Sequence, residues 1–253
     1  MKPRLAVVLA AGRGVRLGER GRETPKGLLE VGGRSLIERS LDALRGAGIE
    51  RVVLVTGHLA DRYAELARRL GDQITLVHNP DFAASGSFVS LQRAGAIEEP
   101  YLLVESDLLF EARAPRLVVD AELDSVLLAS GPTGSGDEVH VGVEHGRLVD
   151  LTKRRERLRG DWGGELVGIT RVSPALHAEM LRRGAELLRG TPHVEYESAL
   201  VAAAGREPVH VLRVDDLVWT EVDDVAQLDR ATAVIAPRLG IGVPEDREGP
   251  TAA

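Results

Sequence analysis

Cysteine is absent from the 253 residues, which rules out disulfides, thiolate metal sites and cysteine nucleophiles together. Aromatic residues make up only 3% of the chain, so an aromatic cage around a quaternary ammonium is hard to assemble. Long hydrophobic runs are missing too. The longest near the N-terminus, Leu5 to Ala11, is too short to span a bilayer, and no signal-cleavage pattern accompanies it. No membrane association and a cytoplasmic location are therefore expected. Positive charge is in deficit, with a formal net charge of −7, which argues against a nucleic-acid partner. A negative protein that handles anionic substrates needs local positive charge at its site. Lysine is the scarcest cation: of 32 basic residues only Lys2, Lys26 and Lys153 are lysines, the rest being arginines. The two internal ones are candidates for positions that need a compact ammonium rather than a guanidinium fork.

What is present is an apolar content of 43%, enough for one large α/β core. Arg4–Ala10, Arg51–Val55, Gln73–Val77 and Tyr101–Val104 read as continuous apolar strands. Between them Ser35–Ala47, Leu59–Leu70 and Ser87–Ile97 carry helical spacing. Such alternation predicts a Rossmann-like α/β fold, a mostly parallel sheet with helices on both faces. Ligands in such folds gather beyond the carboxyl ends of the strands. The second half is less regular. Val126–Ala129, Glu138–Val143 and Leu148–Leu151 suggest a small antiparallel subregion, and Glu165–Val172 and Val209–Val214 are further strands. Pro174–Leu188, His193–Ala204 and Val225–Ala236 are expected helices. One domain over residues 1–238 is expected, with a flexible tail over 239–253.

The segment L-A-A-G-R-G-V-R-L, Leu9 to Leu17, follows the first strand. Gly12 and Gly14 lack a Cβ, so successive backbone N–H groups can close around phosphate oxygens, with Arg13 and Arg16 adding charge. A dinucleotide fingerprint would need glycine where Leu17 stands, and a P-loop would need a Gly-Lys-Ser/Thr run that the loop lacks. Eight residues on, T-P-K-G-L-L-E-V-G-G begins at Thr24, and Pro25 fixes the backbone before Lys26. This pair of motifs resembles the nucleotidyltransferase superfamily that activates sugar phosphates and small phosphoesters. The resemblance implies that Arg16 and Lys26 contact a triphosphate. It also implies that Leu9, Ala10, Ala11, Gly12, Arg13 and Gly14 form the nucleotide loop.

Phosphoryl transfer asks mainly for charge neutralisation and in-line positioning, which a hard divalent cation held by carboxylates supplies. Asp107, in V-E-S-D-L, lies just past the fourth strand, and Glu221 and Asp223 alternate in W-T-E-V-D-D. The family places metal ligands at both sites, so Asp107, Glu221 and Asp223 are the expected Mg²⁺ ligands, with Glu105 and Ser106 on the nucleotide side. Asp223 or Asp224 is also a candidate cap for the last helix. Ala84, Ser85, Gly86 and Ser87 open a helix where free N–H groups and hydroxyls could read a pyrimidine edge.

S-G-D-E-V from Ser135, L-T-K-R-R from Leu151, G-E-L-V-G-I-T from Gly164 and V-E-Y-E-S-A-L from Val194 complete the pattern. Together with D-L-V-W-T-E-V-D they resemble 2-aminoethylphosphonate cytidylyltransferases, relatives of the bacterial phosphocholine enzymes. That resemblance implies CTP and a small phosphonate or phosphate as substrates. Lys153 would bridge the acceptor and the α-phosphate, and the antiparallel part would bind the acceptor. Asp137, Glu138, Glu195 and Glu197 would line that pocket. Arg154 and Arg155 depart from the pattern beside an ammonium pocket, which makes Arg154 a candidate acceptor ligand and keeps phosphonoformate open. Phosphocholine and sugar or alditol phosphates are the other acceptors left open, as is a homodimer. A non-catalytic nucleotide sensor has no use for Lys153 beside a set of metal carboxylates, and a glycosyltransferase would need D-x-D where the chain has E-S-D.

Overall fold

The computed structural model describes residues 1–71 and 73–242. Its strands, in chain order, begin with β1 (Leu5–Ala10), β2 (Glu30–Val31), β3 (Arg34–Ser35), β4 (Arg51–Thr56) and β5 (Ile74–His78). Next come β6 (Tyr101–Glu105), β7 (Leu108–Phe110), β8 (Val126–Ser130), β9 (His140–Glu144) and β10 (Arg147–Thr152). The last are β11 (Asp161–Val172), β12 (His210–Val214) and β13 (Trp219–Glu221). Nine of these strands form one sheet in the order β5-β4-β1-β6-β11-β8-β12-β10-β9.

The first four in that order pair parallel; β4, β1 and β6 are apolar runs buried on both faces, and β5 is the partly exposed edge. Alternate residues of β1 serve opposite layers. Val8 packs with Ile37, Leu44, Leu54 and Val104 on one face, and Val7 and Leu9 pack with Leu103, Leu176 and Leu200 on the other. Ser35 and Glu38 form a capping box that starts the helix Leu36–Gly46 on the first of those faces.

The antiparallel subregion expected in the second half is continuous with the parallel half. β11 runs twelve residues, pairs antiparallel with β6, β8 and β9, and so joins both halves in one sheet. β8 pairs parallel with β12. Gly168 of β11, at φ +79°, lets that strand lie close against the end of β6: a Cβ there would stand 2.6 Å from Glu105 Oε2. The helix expected to reach Ile97 stops at Arg93. The closing helix contains a π-helical segment at Ala231–Ile235 and continues to Arg238. Leu239 and Ile241 pack on a third apolar cluster with Leu17, Leu36 and Val222. The expected tail from residue 243 onward lies outside the described residues.

Two short pairings matter for the site. β13 runs antiparallel to β7 with Glu221 opposite Leu108, which sets Glu221 beside Asp107. The β2–β3 hairpin turns on Gly32 and Gly33, at φ +60° and +73°. Among the described residues no helix is long and apolar enough to cross a membrane.

Candidate functional site

A cavity of about 530 Å³ opens beyond the carboxyl ends of β1 and β6, where a doubly covered parallel sheet holds its ligands. Its floor is Leu9, Ala10, Ala11 and Gly12, with Glu105, Ser106 and Asp107 beside them. The Ser106 amide donates to the Leu9 carbonyl at 3.2 Å, locking the two strand ends together. Arg13 and Arg16 rim one side, Ser85, Gly86 and Ser87 another, and Asp137, Glu138 and Lys153 a third.

The cations are held by carboxylates in one chain. Lys26 Nζ donates to Asp107 Oδ2 at 3.0 Å and also to Asp223. Arg16 donates to the other oxygen of Asp223 and to Asp137 Oδ2, the latter at 2.6 Å. Lys153 Nζ reaches the remaining oxygen of Asp137 at 2.7 Å. Burial alone would depress the Lys26 ammonium, yet Asp107, with Glu221 behind it, holds it above the ordinary lysine value. Asp137 is partly desolvated, but Lys153 and Arg16 keep its carboxyl below the usual range.

Three carboxylates crowd the opposite wall. Glu105, Asp107 and Glu221 each offer an oxygen within 4.8 Å of the others, an all-oxygen set of the kind hard divalent cations take. Burial raises Glu105 well above the carboxylate range, with Glu221, Glu197 and Asp107 adding to it. Glu221 is pushed up to about 7, first by burial and then by Asp107. Tyr196 donates its hydroxyl to Glu105 and so fixes that side chain. Glu197 stands apart. Its Oε2 is out of solvent with no hydrogen-bond partner among the described residues, and burial, then Glu195 and Glu221, push the carboxyl up to about 7.

Residues 6–154 match the MobA-like NTP transferase domain, 149 of the 253 residues. The chain belongs to that family. It is 33% identical over 252 residues to the CMP-5'-(3-aminopropyl)phosphonate synthase of Streptomyces rubellomurinus, covering 93% of this chain and 39% of that one. It is 31% identical over 178 residues to the 2-aminoethylphosphonate cytidylyltransferase of Lancefieldella rimae, covering 62% of this chain and 72% of that protein. The chain thus spans about two fifths of the Streptomyces relative's length. The inositol-1-phosphate CTP transferase of T. maritima shares the fold, with a TM-score of 0.78 at 22% identity over 96% of this chain and 98% of that one.

In this member of the NTP transferase family, most residues singled out in the sequence meet at the cavity, and a few do not. Gly14 lies behind the loop in the left-handed conformation, at φ +59°, where a Cβ would press on Leu17 and the Lys26 stem at 3.2 Å. It shapes the loop and does not line the cavity. Ala84 is exposed in the turn closed by its amide on the Asp81 carbonyl, and is off the wall. Ser85 does not cap the helix Ser87–Arg93; its hydroxyl donates to the Asp81 carbonyl at 2.8 Å. Glu195 does the capping, accepting from the Ser87 amide at 2.9 Å and the Ser87 hydroxyl at 2.5 Å. Arg154 is exposed, its amide bonded to Thr152 Oγ1 at 3.1 Å, and it does not line the cavity.

Asp223 is only 4% exposed and is engaged by Lys26 and Arg16. The three-carboxylate cluster contains Glu105 in its stead. Asp224, not Asp223, caps the last helix through the Gln227 amide at 2.8 Å. Tyr63, Phe82 and Thr133 line the cavity without any motif to announce them.

Proposed function

We propose that this chain transfers CMP from CTP to an ω-aminoalkylphosphonate, 2-aminoethylphosphonate favoured, with release of pyrophosphate. The observation that carries the acceptor is the lone, shielded oxygen of Glu197 in a cavity wall that also holds Glu138 and Glu195. An ammonium supplies the missing donor, whereas the carboxylate of phosphonoformate would add a further anion. With Arg154 outside the cavity, the cations at that wall among the described residues are Lys153 and Arg16, and both are already paired with Asp137. The names of the Streptomyces and Lancefieldella relatives support both the cytidylyl group and the aminoalkylphosphonate class. Phe82 lines the cavity on the side of Ser85, Gly86 and Ser87, and its tight packing on Gly57, where a Cβ would stand 2.6 Å from the Phe82 Cβ, holds its ring in place as a wall for a base.

The residues then divide the work. Backbone N–H groups of the Gly12 loop, with Arg16 and Lys26, hold the triphosphate and receive the departing pyrophosphate. Glu105, Asp107 and Glu221 fit Mg²⁺ as a hard oxygen donor set, and the ion, when bound, supplies charge neutralisation at the reacting phosphate. Lys153 guides an acceptor phosphonate oxygen towards the α-phosphorus and balances the charge that develops there. No protein nucleophile is required for a direct in-line displacement.

Incubation with CTP, Mg²⁺ and a panel of 2-aminoethyl-, 3-aminopropyl-, 2-hydroxyethyl- and methylphosphonate, phosphonoformate and phosphocholine decides the acceptor by pyrophosphate release. The amines should lead the panel; equal turnover of methylphosphonate would remove the ammonium reading. Glu197→Gln should raise the KM for the amino acceptor on the order of tenfold or more, leaving the KM for CTP within about twofold.

Folding reports on the same carboxylates. Glu197 and Glu221 have native values of about 7 against an ordinary 4.5. Between those limits the folded chain binds more protons than the unfolded one, so raising the pH lowers stability. Metal-free protein should therefore melt at progressively lower temperature from about pH 5 to about pH 7. Added Mg²⁺ should restore the Glu221 share of the loss near pH 7.5 and do little at pH 5, where Glu221 is protonated. The measurement is thermal unfolding with and without MgCl₂, and parallel curves would argue against a metal at this cluster.

A further inference from the structure

Lys153 opens an eight-residue turn, 153–160, between β10 and β11. It is half-exposed, and a single ion pair to Asp137 is its only recorded partner among the described residues. A long, flexible stem of this kind is placed only if the turn beneath it is placed. The two ends of the turn are tied to the sheet. The Arg154 amide is bonded to Thr152 Oγ1 at 3.1 Å, and Arg159 reaches Asp150 Oδ2 through its amide at 3.0 Å and the Val149 carbonyl at 2.8 Å.

The middle is held differently. The Arg155 guanidinium stands 4.5 Å from the centroid of the Trp162 ring, and the Arg213 guanidinium also stands 4.5 Å from it. Arg213 is on β12 and is steadied by Asp215 at 2.7 Å, and Trp162 is in β11, opposite Gly142 of β9. Arg155 forms no ion pair among the described residues, so the indole face is its anchor.

We propose that Trp162, shared by Arg155 and Arg213, is the positioning residue for Lys153, clamping the turn that carries it against the sheet. The basic run after Lys153 then serves the protein and not the substrate: Arg155 stacks on the indole and fixes the direction in which Lys153 leaves the backbone. An indole suits the task, because cation–π attraction is strongest over tryptophan and holds a guanidinium without neutralising it. The proposal rests on the reading of Lys153 as the acceptor-side cation, but its first test does not.

With lysines only at positions 2, 26 and 153, brief acylation of the amines followed by mass spectrometry reports on each separately. In Trp162→Leu, acylation of Lys153 relative to Lys2 should rise several-fold while Lys26 stays as in the parent. Trp162→Phe, which keeps a ring face, should stay near the parent, and Arg155→Ala, a surface change that leaves the core intact, should reproduce the leucine result. Unchanged Lys153 labelling in both Trp162→Leu and Arg155→Ala overturns the proposal. In turnover, Trp162→Leu should lower kcat on the order of ten- to a hundredfold with CTP affinity unchanged. An equal loss in kcat and in CTP affinity would overturn it as well. Raised Lys153 labelling in Trp162→Leu and Arg155→Ala, together with a parent protein that uses none of the phosphonates, would uphold the clamp and sink the substrate assignment instead.

Discussion

Asp107→Asn should lower turnover on the order of a thousandfold or more and raise the Mg²⁺ concentration needed for half-maximal rate. Two losses combine in this substitution. Asp107 is one of three carboxylates whose oxygens lie within 4.8 Å of one another, and charge neutralisation at a transferring phosphate is worth several kcal/mol. It is also the partner of Lys26 at 3.0 Å, in a part-buried pair. The amide keeps the shape and one acceptor oxygen, so the fold should survive. Comparison with Lys26→Ala separates the two losses. Removing Lys26 should weaken triphosphate binding while leaving the metal requirement where it was. Removing the Asp107 charge should move the metal requirement first. Chelation by EDTA should abolish turnover in the parent. A fully active Asp107→Asn protein with an unshifted Mg²⁺ dependence would sink the metal assignment.

The parallel half of the sheet was readable because its inner strands are apolar runs and a helix can carry its own cap in the sequence. Ser35 and Glu38 are the clearest example. The Gly12 loop and Lys26, which meet at the cavity, were readable because both lie in motifs within one short stretch of sequence. The second half was harder for a physical reason. β11 is long and interrupted by Gly163, Gly164 and Gly168, and its partners lie far away in sequence, so no local period reveals that it joins both halves. The carboxylate cluster shows the same limit. Spacing alone recommends Glu221 and Asp223 as a pair. β13 ends at Glu221, and the chain beyond it carries Asp223 to Lys26 and Arg16. Glu105 joins the cluster because Gly168 lets β11 close over it and Tyr196 holds it, contacts that only folding assembles. Glu195 was expected in the acceptor pocket from the resemblance that V-E-Y-E-S-A-L carries, and it does line the cavity. In the fold it caps a helix that begins at Ser87, far away in the chain.

Lys153→Ala should lower turnover on the order of a hundredfold or more while changing CTP affinity by no more than about threefold. Where the charge goes decides this. On the proposed reading, CTP in the ground state meets the Gly12 loop, Arg16, Lys26 and a metal, and Lys153 is not needed to balance it. When the acceptor phosphonate arrives, two anions must come within bonding distance, and a further cation between them counts most at that moment. An interaction that strengthens only in the transition state appears in kcat and not in nucleotide binding. The structure adds a second consequence. Asp137 holds Lys153 with one oxygen and Arg16 with the other, at 2.7 Å and 2.6 Å. Without Lys153, the Asp137 carboxylate is free to bind Arg16 alone and to compete with the triphosphate for it. The small loss in CTP affinity expected in Lys153→Ala should therefore vanish in the double variant Lys153→Ala/Asp137→Asn, while the loss in turnover stays. Titration of CTP against both variants, with turnover measured in parallel, checks the argument. A fall in CTP affinity as large as the fall in turnover, unrelieved by Asp137→Asn, would make Lys153 a nucleotide ligand.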